Sequence, residues 1–395
     1  MKFVIVRALM LCAFQAWSLA AIAGTEVYTG TLGNQPIVME LKSDGSSDIE
    51  GRYFYVKYHA DLQLAGQASG TDSLSLQEGY SDYDKSVLPK IELKKDAQGQ
   101  WSGTWTKSKE KSVALHLQPA QVPAPAANAD PWFKKLYTSN LYEYLRLSGL
   151  TLKKGERQTF MGHTLQWWSE PGSKISMFEI LDGYPDAQRQ KINEVLRARL
   201  WQEVSNFHGC VSGNRSSGSN YDQTVTPNLL SANLISISVF TDYYCGGAYP
   251  DWGDDPINMD ARTAQPLTLE DILWVGEGKP VRYASALPYG YDEGADKKDS
   301  DSYASYRRTR FAPWLIQQLQ TLRPASVDEN GCDSDYPDDP ETAFWWQFPT
   351  WYLTSEGIVF TPSYPHVAAV CRIETPALPW KIVREHPGVL KMTLP

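Results

Sequence analysis

Two acidic stretches contain the residues best suited to do chemistry in this chain. They are Asp251–Asp255 and Asp333–Glu341, and each places several carboxylates within a few positions. Such a density of carboxylates could bind calcium, although neither stretch has the glycine and distal glutamate of an EF-hand loop. A pair such as Asp254 and Asp335 could also act as the acid and base of an envelope glycan hydrolase. The simplest interpretation is that both stretches are solvated loops.

Other signatures of catalysis are absent from the 395-residue sequence. It has no Gly-x-Ser-x-Gly elbow, no His-Glu-x-x-His motif and no P-loop, and its 6 histidines are widely spaced. The net charge of −9, without a basic stripe, argues against nucleic-acid binding. We therefore predict a binding protein rather than an enzyme, with no catalytic residues, no metal and no cofactor.

The segment Tyr243–Asp255 is the strongest candidate for a binding surface. Gly246 and Gly247 follow a predicted strand and allow a sharp turn. A disulfide at Cys245 and the ring of Pro250 would make the segment rigid, so its aromatic side chains could anchor a partner. The alternative is that the aromatics are core residues and the acids form turns. The predicted binding residues are three aromatics and three acids: Tyr243, Tyr249, Trp252, Asp251, Asp254 and Asp255.

Residues 1–23 have the composition of a secretory signal peptide. A basic start and a short apolar run lead to an Ala-x-Ala cleavage site that ends at Ala23. The alternatives are a buried N-terminal helix and a lipoprotein signal that would use Cys12. We predict a periplasmic or secreted protein, and no later segment is apolar for long enough to span a membrane.

Four cysteines remain in the predicted mature chain. An even number of cysteines in an exported protein predicts disulfides, and four cysteines allow three pairings. We favour Cys210–Cys245 and Cys332–Cys371, because each bond would join neighbouring elements. A metal site is the weaker interpretation, since His208 next to Cys210 is the closest His/Cys pair.

The elements that must position these residues divide into an all-β part and an α+β part. Residues 24–118 alternate between apolar and polar positions in short runs, which predicts a small antiparallel all-β domain. Residues 119–130 form a Pro/Ala linker. Residues 131–395 predict an α+β domain.

Within the second domain, helical spacing predicts a long helix that starts at Asp186 and ends before His208. A short helix capped by Thr268 and a second longer helix follow. The principal predicted helices and strands are helices at Leu267–Leu273 and Tyr306–Leu322 and strands at Leu145–Leu152, Leu234–Tyr244 and Trp380–Val383.

Several short motifs follow one another in a fixed order between residues 145 and 385. They are Gly183–Pro185 with Ile192–Glu194, Leu234–Ser238 with Gly246–Ala248, Asn258–Thr263, Leu267–Leu273, and Gly357–Phe360. This order resembles the uncharacterised extracytoplasmic domain of the lysozyme-sensing anti-sigma factor of Gram-positive bacteria. The same domain accompanies some peptidoglycan deacetylases, whose chemistry belongs to a different domain.

The resemblance implies an α+β fold in which helices pack on a curved antiparallel sheet. In the anti-sigma factor this domain binds lysozyme, and we predict a basic lysozyme-like protein or a cell-wall glycan as the partner of this chain. Two departures stand out. Tyr249 occupies a position where related sequences often have histidine. The chain also shows no transmembrane helix or cytoplasmic segment, so we expect no direct anti-sigma signalling.

Overall fold

The computed structural model describes residues 23–79, 88–108, 111–211, 220–246, 249–281, 297–322, 342–391 and 393–395. Two compact units are present. The N-terminal unit contains the described residues up to Tyr58 together with Leu62–Val122. The C-terminal unit contains His59–Asp61 together with the described residues from Pro123 onwards. The predicted domain limits and linker stay predictions.

The N-terminal unit is a closed eight-stranded barrel. Each strand pairs with the next along the chain, and the last strand pairs antiparallel with the first. The all-β prediction for this region is confirmed. Its strands are β1 (Ala23–Leu32), β2 (Gln35–Asp44), β3 (Asp48–Tyr55), β4 (Asp61–Ala68), β5 (Ser73–Glu78), β6 (Lys90–Lys95), β7 (Trp101–Ser108) and β8 (Lys111–Pro119).

Alternating apolar side chains fill the barrel interior in strands such as β6. There Ile91 and Leu93 are buried, whereas Lys90, Glu92 and Lys94 are exposed. Glycine is required at Gly103 in β7, because a Cβ there would lie 1.8 Å from the carbonyl oxygen of Glu92. This close approach lets neighbouring strands curve around a narrow interior. The result is a core of inward aliphatic and aromatic side chains from all eight strands.

The C-terminal unit combines helices with three antiparallel sheets among its described residues. The α+β prediction is confirmed. Its strands are β9 (Lys153–Phe160), β10 (His163–Ser169), β11 (Ser176–Ile180), β12 (Asn220–Leu230), β13 (Leu234–Tyr244), β14 (Asp251–Asp254), β15 (Ile257–Asp260), β16 (Gln265–Pro266), β17 (Thr350–Leu353), β18 (Gly357–Thr361) and β19 (Leu378–Pro379).

Seven described α-helices accompany these strands. They are α1 (Pro131–Ser139), α2 (Leu141–Leu147), α3 (Asp186–Cys210), α4 (Leu269–Ile272), α5 (Lys297–Tyr306), α6 (Ala312–Leu322) and α7 (Trp380–Glu385). A π-helical turn, Arg307–Phe311, joins α5 to α6, and Thr342–Trp346 and His366–Cys371 are 3₁₀ segments. None of the helices in the described ranges is both long and apolar enough to cross a membrane.

The central sheet has the order β12, β13, β15 and β16, and β14 pairs with the C-terminal half of β13. The helix α3 packs mainly against β11 of the three-stranded sheet formed by β9, β10 and β11, and less against β12 of the central sheet. It buries Ile192, Leu196 and Leu200. It begins after Pro185 and continues through His208 to Cys210, so the predicted end before His208 was too early.

Two predicted strands are helical in the structure. Leu145–Leu152 overlaps the end of α2, which begins after Asn140, whose side chain accepts a hydrogen bond from the backbone N–H of Glu143. Trp380–Val383 lies within α7, which starts directly after Pro379. A capping side chain favours the start of α2, and a proline precedes the start of α7. These local signals favour a helix more strongly than a few alternating apolar residues favour a strand.

A buried ionic cluster joins α2 to the segment His59–Asp61 within the C-terminal unit. Arg146 is fully buried and its Nη2 lies 2.5 Å from Oδ1 of Asp61, which also accepts a hydrogen bond of 2.6 Å from the hydroxyl of Tyr142. His208 lies beside this cluster, with its ring centroid 5.6 Å from that of His59. Nε2 of His208 is buried without a hydrogen-bond partner, and burial lowers the pKa of this imidazole to about 4.

Candidate functional site

The hairpin formed by β13 and β14 carries the predicted binding segment. A disulfide between Cys210 and Cys245 is present, as predicted, and joins the end of α3 to the residue that follows β13. Gly246 follows with φ +96°, a left-handed conformation that favours glycine. The chain then returns as β14, which pairs with β13 from Tyr243↔Asp251 to Phe240↔Asp254. Gly247 and Ala248 lie outside the described residues.

The aromatic residues of this segment differ in exposure. Tyr249 is 66% exposed, whereas Tyr243 and Trp252 are half-buried. The ring of Tyr243 lies 6.2 Å from that of Tyr221 on the adjacent strand. Tyr249 is therefore the aromatic side chain of the segment that is most available to a partner.

A second segment places apolar side chains next to Tyr249. The ring centroids of Tyr249 and His366 are 5.6 Å apart. The residues that follow His366 expose aliphatic side chains: Val367 is 76% exposed, Val370 55% and Ile373 41%. We call the set Tyr249, His366, Val367, Val370 and Ile373 the Tyr249 face. Exposed apolar side chains grouped in this way are typical of interaction surfaces.

Arg372 fastens the two segments together. Its Nη1 donates a hydrogen bond of 2.8 Å to Oδ1 of Asp251 and another to the carbonyl oxygen of Trp252. Its Nε donates to the carbonyl oxygen of Tyr364 at 2.7 Å. Because one guanidinium group binds both sides, the Tyr249 face is held in a fixed arrangement.

Disulfides flank both parts of the Tyr249 face. Cys245 lies four positions before Tyr249, and the disulfide-bonded Cys371 directly precedes Arg372. Cys332, the predicted partner of Cys371, lies outside the described residues. The predicted Cys332–Cys371 pairing stays a prediction.

The three predicted acidic residues have three different environments. Asp251 is paired with Arg372, as described above. Asp255 has an exposed side chain, but its Oδ2 lies 2.8 Å from Nη2 of the buried Arg199 on α3. Arg199 also binds Glu203 through Nε at 2.6 Å. Two of the three carboxylates therefore have their charge balanced by a neighbouring guanidinium.

Asp254 is the carboxylate with the most perturbed chemistry. Its Oδ1 is buried without a hydrogen-bond partner. Burial raises the pKa of Asp254 to about 6, and the charge of Glu374 adds to the rise, while hydrogen bonds from Ser238 and Val239 oppose it. Glu374 in turn accepts a hydrogen bond of 3.1 Å from the hydroxyl of Tyr352.

The structure therefore brings the predicted residues 243–255 together on one hairpin, with Gly247 and Ala248 outside the described residues. Asp335 and the rest of Asp333–Glu341 also lie outside the described residues. The segment from His366 to Ile373 was not predicted as part of a site. The only local signal was the run of Val and Ala between Pro365 and Cys371, which does not distinguish a buried strand from an exposed 3₁₀ segment.

No group of three or more His, Cys, Asp or Glu side chains among the described residues is arranged to hold a metal ion. The polar groups around Asp254 are a carboxylate pair, hydroxyls and backbone amides, and their chemistry is proton exchange and hydrogen bonding.

The fold and the site define an α+β protein with an N-terminal antiparallel barrel and an exposed apolar face on its C-terminal unit. No protein-family model matches the chain. No curated protein matches it. A crystal structure of a member of the DUF3298 family from Bacteroides fragilis NCTC 9343 is similar over 61% of this chain and 94% of that chain, with 14% identity and a TM-score of 0.32. A similarity this low does not establish a shared fold or function.

Proposed function

We propose that this chain is an exported cell-envelope protein whose C-terminal unit is a non-catalytic protein-binding module. The Tyr249 face is the centre of the binding surface. The observation that supports this proposal is the grouping of exposed Tyr249, Val367, Val370 and Ile373 on two segments joined by Arg372. Tyrosine is one of the residue types enriched among the side chains that contribute most to binding at protein interfaces.

Rigidity favours binding by this face. The Cys210–Cys245 disulfide and the bonds of Arg372 fix the backbone on both sides of Tyr249 before a partner arrives. Association therefore orders few additional side chains, which lowers its entropic cost.

Charge favours a basic partner. The chain has a net charge of −9, and Asp242 on β13 and Glu374 beside Ile373 expose carboxylates near the Tyr249 face. A basic protein would be attracted by this charge, and its association rate would fall as salt increases. A basic lysozyme-like enzyme, the partner that the sequence resemblance implies, has this property.

The test is a binding titration with a purified c-type lysozyme. The variant Tyr249→Ala/Val367→Ala removes two exposed side chains of the face, and we expect the complex to weaken by about 2 kcal/mol, or roughly thirtyfold. The matched control is Tyr58→Ala/Val56→Ala, which removes an exposed tyrosine and valine from the N-terminal unit. We expect the control to bind as the parent does, and both variants to keep the parent melting temperature.

Two results would contradict the proposed partner. One is the absence of lysozyme binding by the parent chain at low salt. The other is equal binding by the parent and the Tyr249→Ala/Val367→Ala variant. Saturable binding of soluble peptidoglycan fragments, lost in the same variant, would keep the face but assign it to cell-wall glycan instead.

Export is tested separately by mass spectrometry of the protein recovered from its native compartment. We expect an N-terminus at Gly24 and a Cys332–Cys371 disulfide in addition to Cys210–Cys245. A chain that keeps residues 1–23, or a free thiol at Cys332, would refute the corresponding part of the proposal.

A second candidate function, an envelope glycan hydrolase, is favoured by one observation. Asp254 has a pKa of about 6, in the range that a general acid needs, and it interacts electrostatically with Glu374. Turnover of peptidoglycan fragments by the parent and its loss in Asp254→Asn would support this function. Binding without turnover would leave the binding module as the better proposal.

A further inference from the structure

A cavity opens at one end of the N-terminal barrel. Its volume is ≈ 300 Å³, enough for about ten water molecules at roughly 30 Å³ each. The lining comes from the ends of β1, β2, β3, β4, β5 and β7 and from the β2–β3 and β4–β5 turns. An eight-stranded barrel is wide enough either to be filled by side chains or to hold one small ligand.

The cavity has an apolar wall. Leu41, Ile49, Leu74 and Trp101 are buried barrel residues that line it, and the half-buried Ala68 adds a small side chain that leaves space. These groups offer contact area to an apolar or aromatic body, as in typical small-molecule pockets.

The barrel interior is closed farther along β5. Glu78, four residues after Leu74, accepts hydrogen bonds of 2.6 Å from the hydroxyl of Tyr53 and from Nε1 of Trp105. Leu76 lies between Leu74 and Glu78 on β5, and Leu64 on β4 is paired with Glu78; both leucines are buried in the barrel core. The cavity is therefore a blind pocket, with its opening at the β2–β3 and β4–β5 turns.

Each charged residue that lines the cavity is already paired. Glu26 accepts a hydrogen bond of 2.5 Å from the hydroxyl of Tyr28, and Nζ of Lys95 lies 3.9 Å from its Oε2. Nζ of Lys42 lies 3.2 Å from Oε1 of Glu40. A charged ligand would find no unpaired opposite charge among these lining residues. Its transfer from water into this apolar pocket would therefore be unfavourable.

The rim supplies hydroxyl groups. Ser43, Ser46, Ser47 and Thr71 line the opening of the cavity. A hydroxyl both donates and accepts hydrogen bonds, so this rim suits a polar but uncharged head group.

From the apolar wall, the paired charges and the hydroxyl rim, we propose that the barrel binds a compact uncharged amphipathic molecule. Its apolar or aromatic body occupies the pocket against Trp101, and its hydroxyl or amide head lies at the rim. This binding site lies on a different unit from the Tyr249 face and does not depend on the function proposed for that face.

The test is a fluorescence titration of the full chain with two related probes. N-phenyl-1-naphthylamine is uncharged, and 8-anilinonaphthalene-1-sulfonate has the same aromatic frame with an added sulfonate. We expect saturable binding of the uncharged probe and at least tenfold weaker binding of the sulfonate. Equal or tighter binding of the sulfonate would refute the inference that the ligand is uncharged.

Three variants locate the site. Ala68→Leu fills the pocket, and Thr71→Trp covers the rim from an exposed turn without changing the core. We expect each to weaken binding of the uncharged probe at least tenfold. Ala114→Leu is the matched control, because Ala114 is exposed on the outer side of β8. We expect it to bind within twofold of the parent.

The absence of saturable binding would overturn the proposal. Probe binding that Ala68→Leu and Thr71→Trp leave unchanged would also overturn it, since the probe would then occupy another site. If Ala68→Leu disrupts the barrel, Thr71→Trp alone decides between these outcomes, because its side chain lies outside the core.

Discussion

Replacing Asp254 by asparagine should stabilise the protein in a pH-dependent way. Burial raises the pKa of Asp254 from 3.8 to about 6 in the folded chain. At pH values between 3.8 and about 6, the Asp254 carboxyl is more often protonated in the folded state than in the unfolded state. The free energy of unfolding therefore falls as pH rises through this window, and the cost of ionising Asp254 reaches about 3 kcal/mol above it.

The variant Asp254→Asn removes this cost and keeps a side chain of nearly the same size. At pH 4, where the folded carboxyl is protonated, the parent and variant should have similar stability. At pH 7.5 the variant should be more stable by up to about 3 kcal/mol. Urea unfolding at several pH values measures the difference, and a ¹³C NMR titration of the Asp254 carboxyl measures its pKa directly.

The matched control is Asp242→Asn, because Asp242 is an exposed carboxylate on the neighbouring strand β13. We expect this control to change the free energy of unfolding by less than about 0.5 kcal/mol at each pH. The reasoning is refuted if Asp254→Asn has the same effect at pH 4 and pH 7.5, or if it destabilises the protein at the higher pH.

Three more predictions follow from contacts within the C-terminal unit. Replacing Cys210 and Cys245 by alanine opens a loop with a sequence separation of 35 and should lower the urea-unfolding free energy by about 4 kcal/mol; no change would contradict the chain-entropy argument. Asp61→Ala should cost about 3 kcal/mol, because it removes an ionic partner of the buried Arg146, and Arg146→Met in the same chain should recover part of the loss. The pKa of His208 is lowered from 6.5 to about 4, so the folded chain binds fewer protons than the unfolded chain between these pH values. The free energy of unfolding should therefore fall by about 3 kcal/mol as pH decreases from 6.5 to 4. His208→Leu should remove most of this decrease, and an unchanged pH dependence would contradict the prediction.

The barrel was predictable because its signal is local. In β6 and β8, apolar residues at every second position face inward, and a window of eight residues contains the whole pattern. The helix α3 was predictable for the same reason, since its buried residues recur at helical spacing over many turns. Its end was less clear, because His208 and Cys210 are buried through partners that the local pattern does not contain.

The two wrong strand predictions rest on runs of eight residues or fewer. Arg146, within Leu145–Leu152, is a charged residue that is fully buried and bound to Asp61, 85 residues earlier. When a distant partner allows a charged residue to be buried, a short run of residues no longer shows which of its positions face the core. A run as short as Trp380–Val383 carries too few residues to separate the periods of a strand and a helix.

The candidate site shows where local information ends. Glycine, cysteine and proline mark the turn that presents Tyr249, so the sequence could indicate this segment. Its other half comes from the residues after His366, and Arg372 joins the two halves by binding Asp251, 121 residues away. No pattern within either segment predicts that contact.

The acidic residues of the site illustrate the same point in terms of charge. Asp251, Asp254 and Asp255 look equivalent within a run of five residues. The tertiary structure pairs the first with Arg372 and the third with Arg199, and it buries the second so that its pKa rises to about 6. The number of carboxylates follows from the sequence, but the charge that each presents to a partner depends on these distant contacts. Under the proposed function, attraction of a basic protein would therefore depend more on the exposed Asp242 and Glu374 than on the acidic run itself.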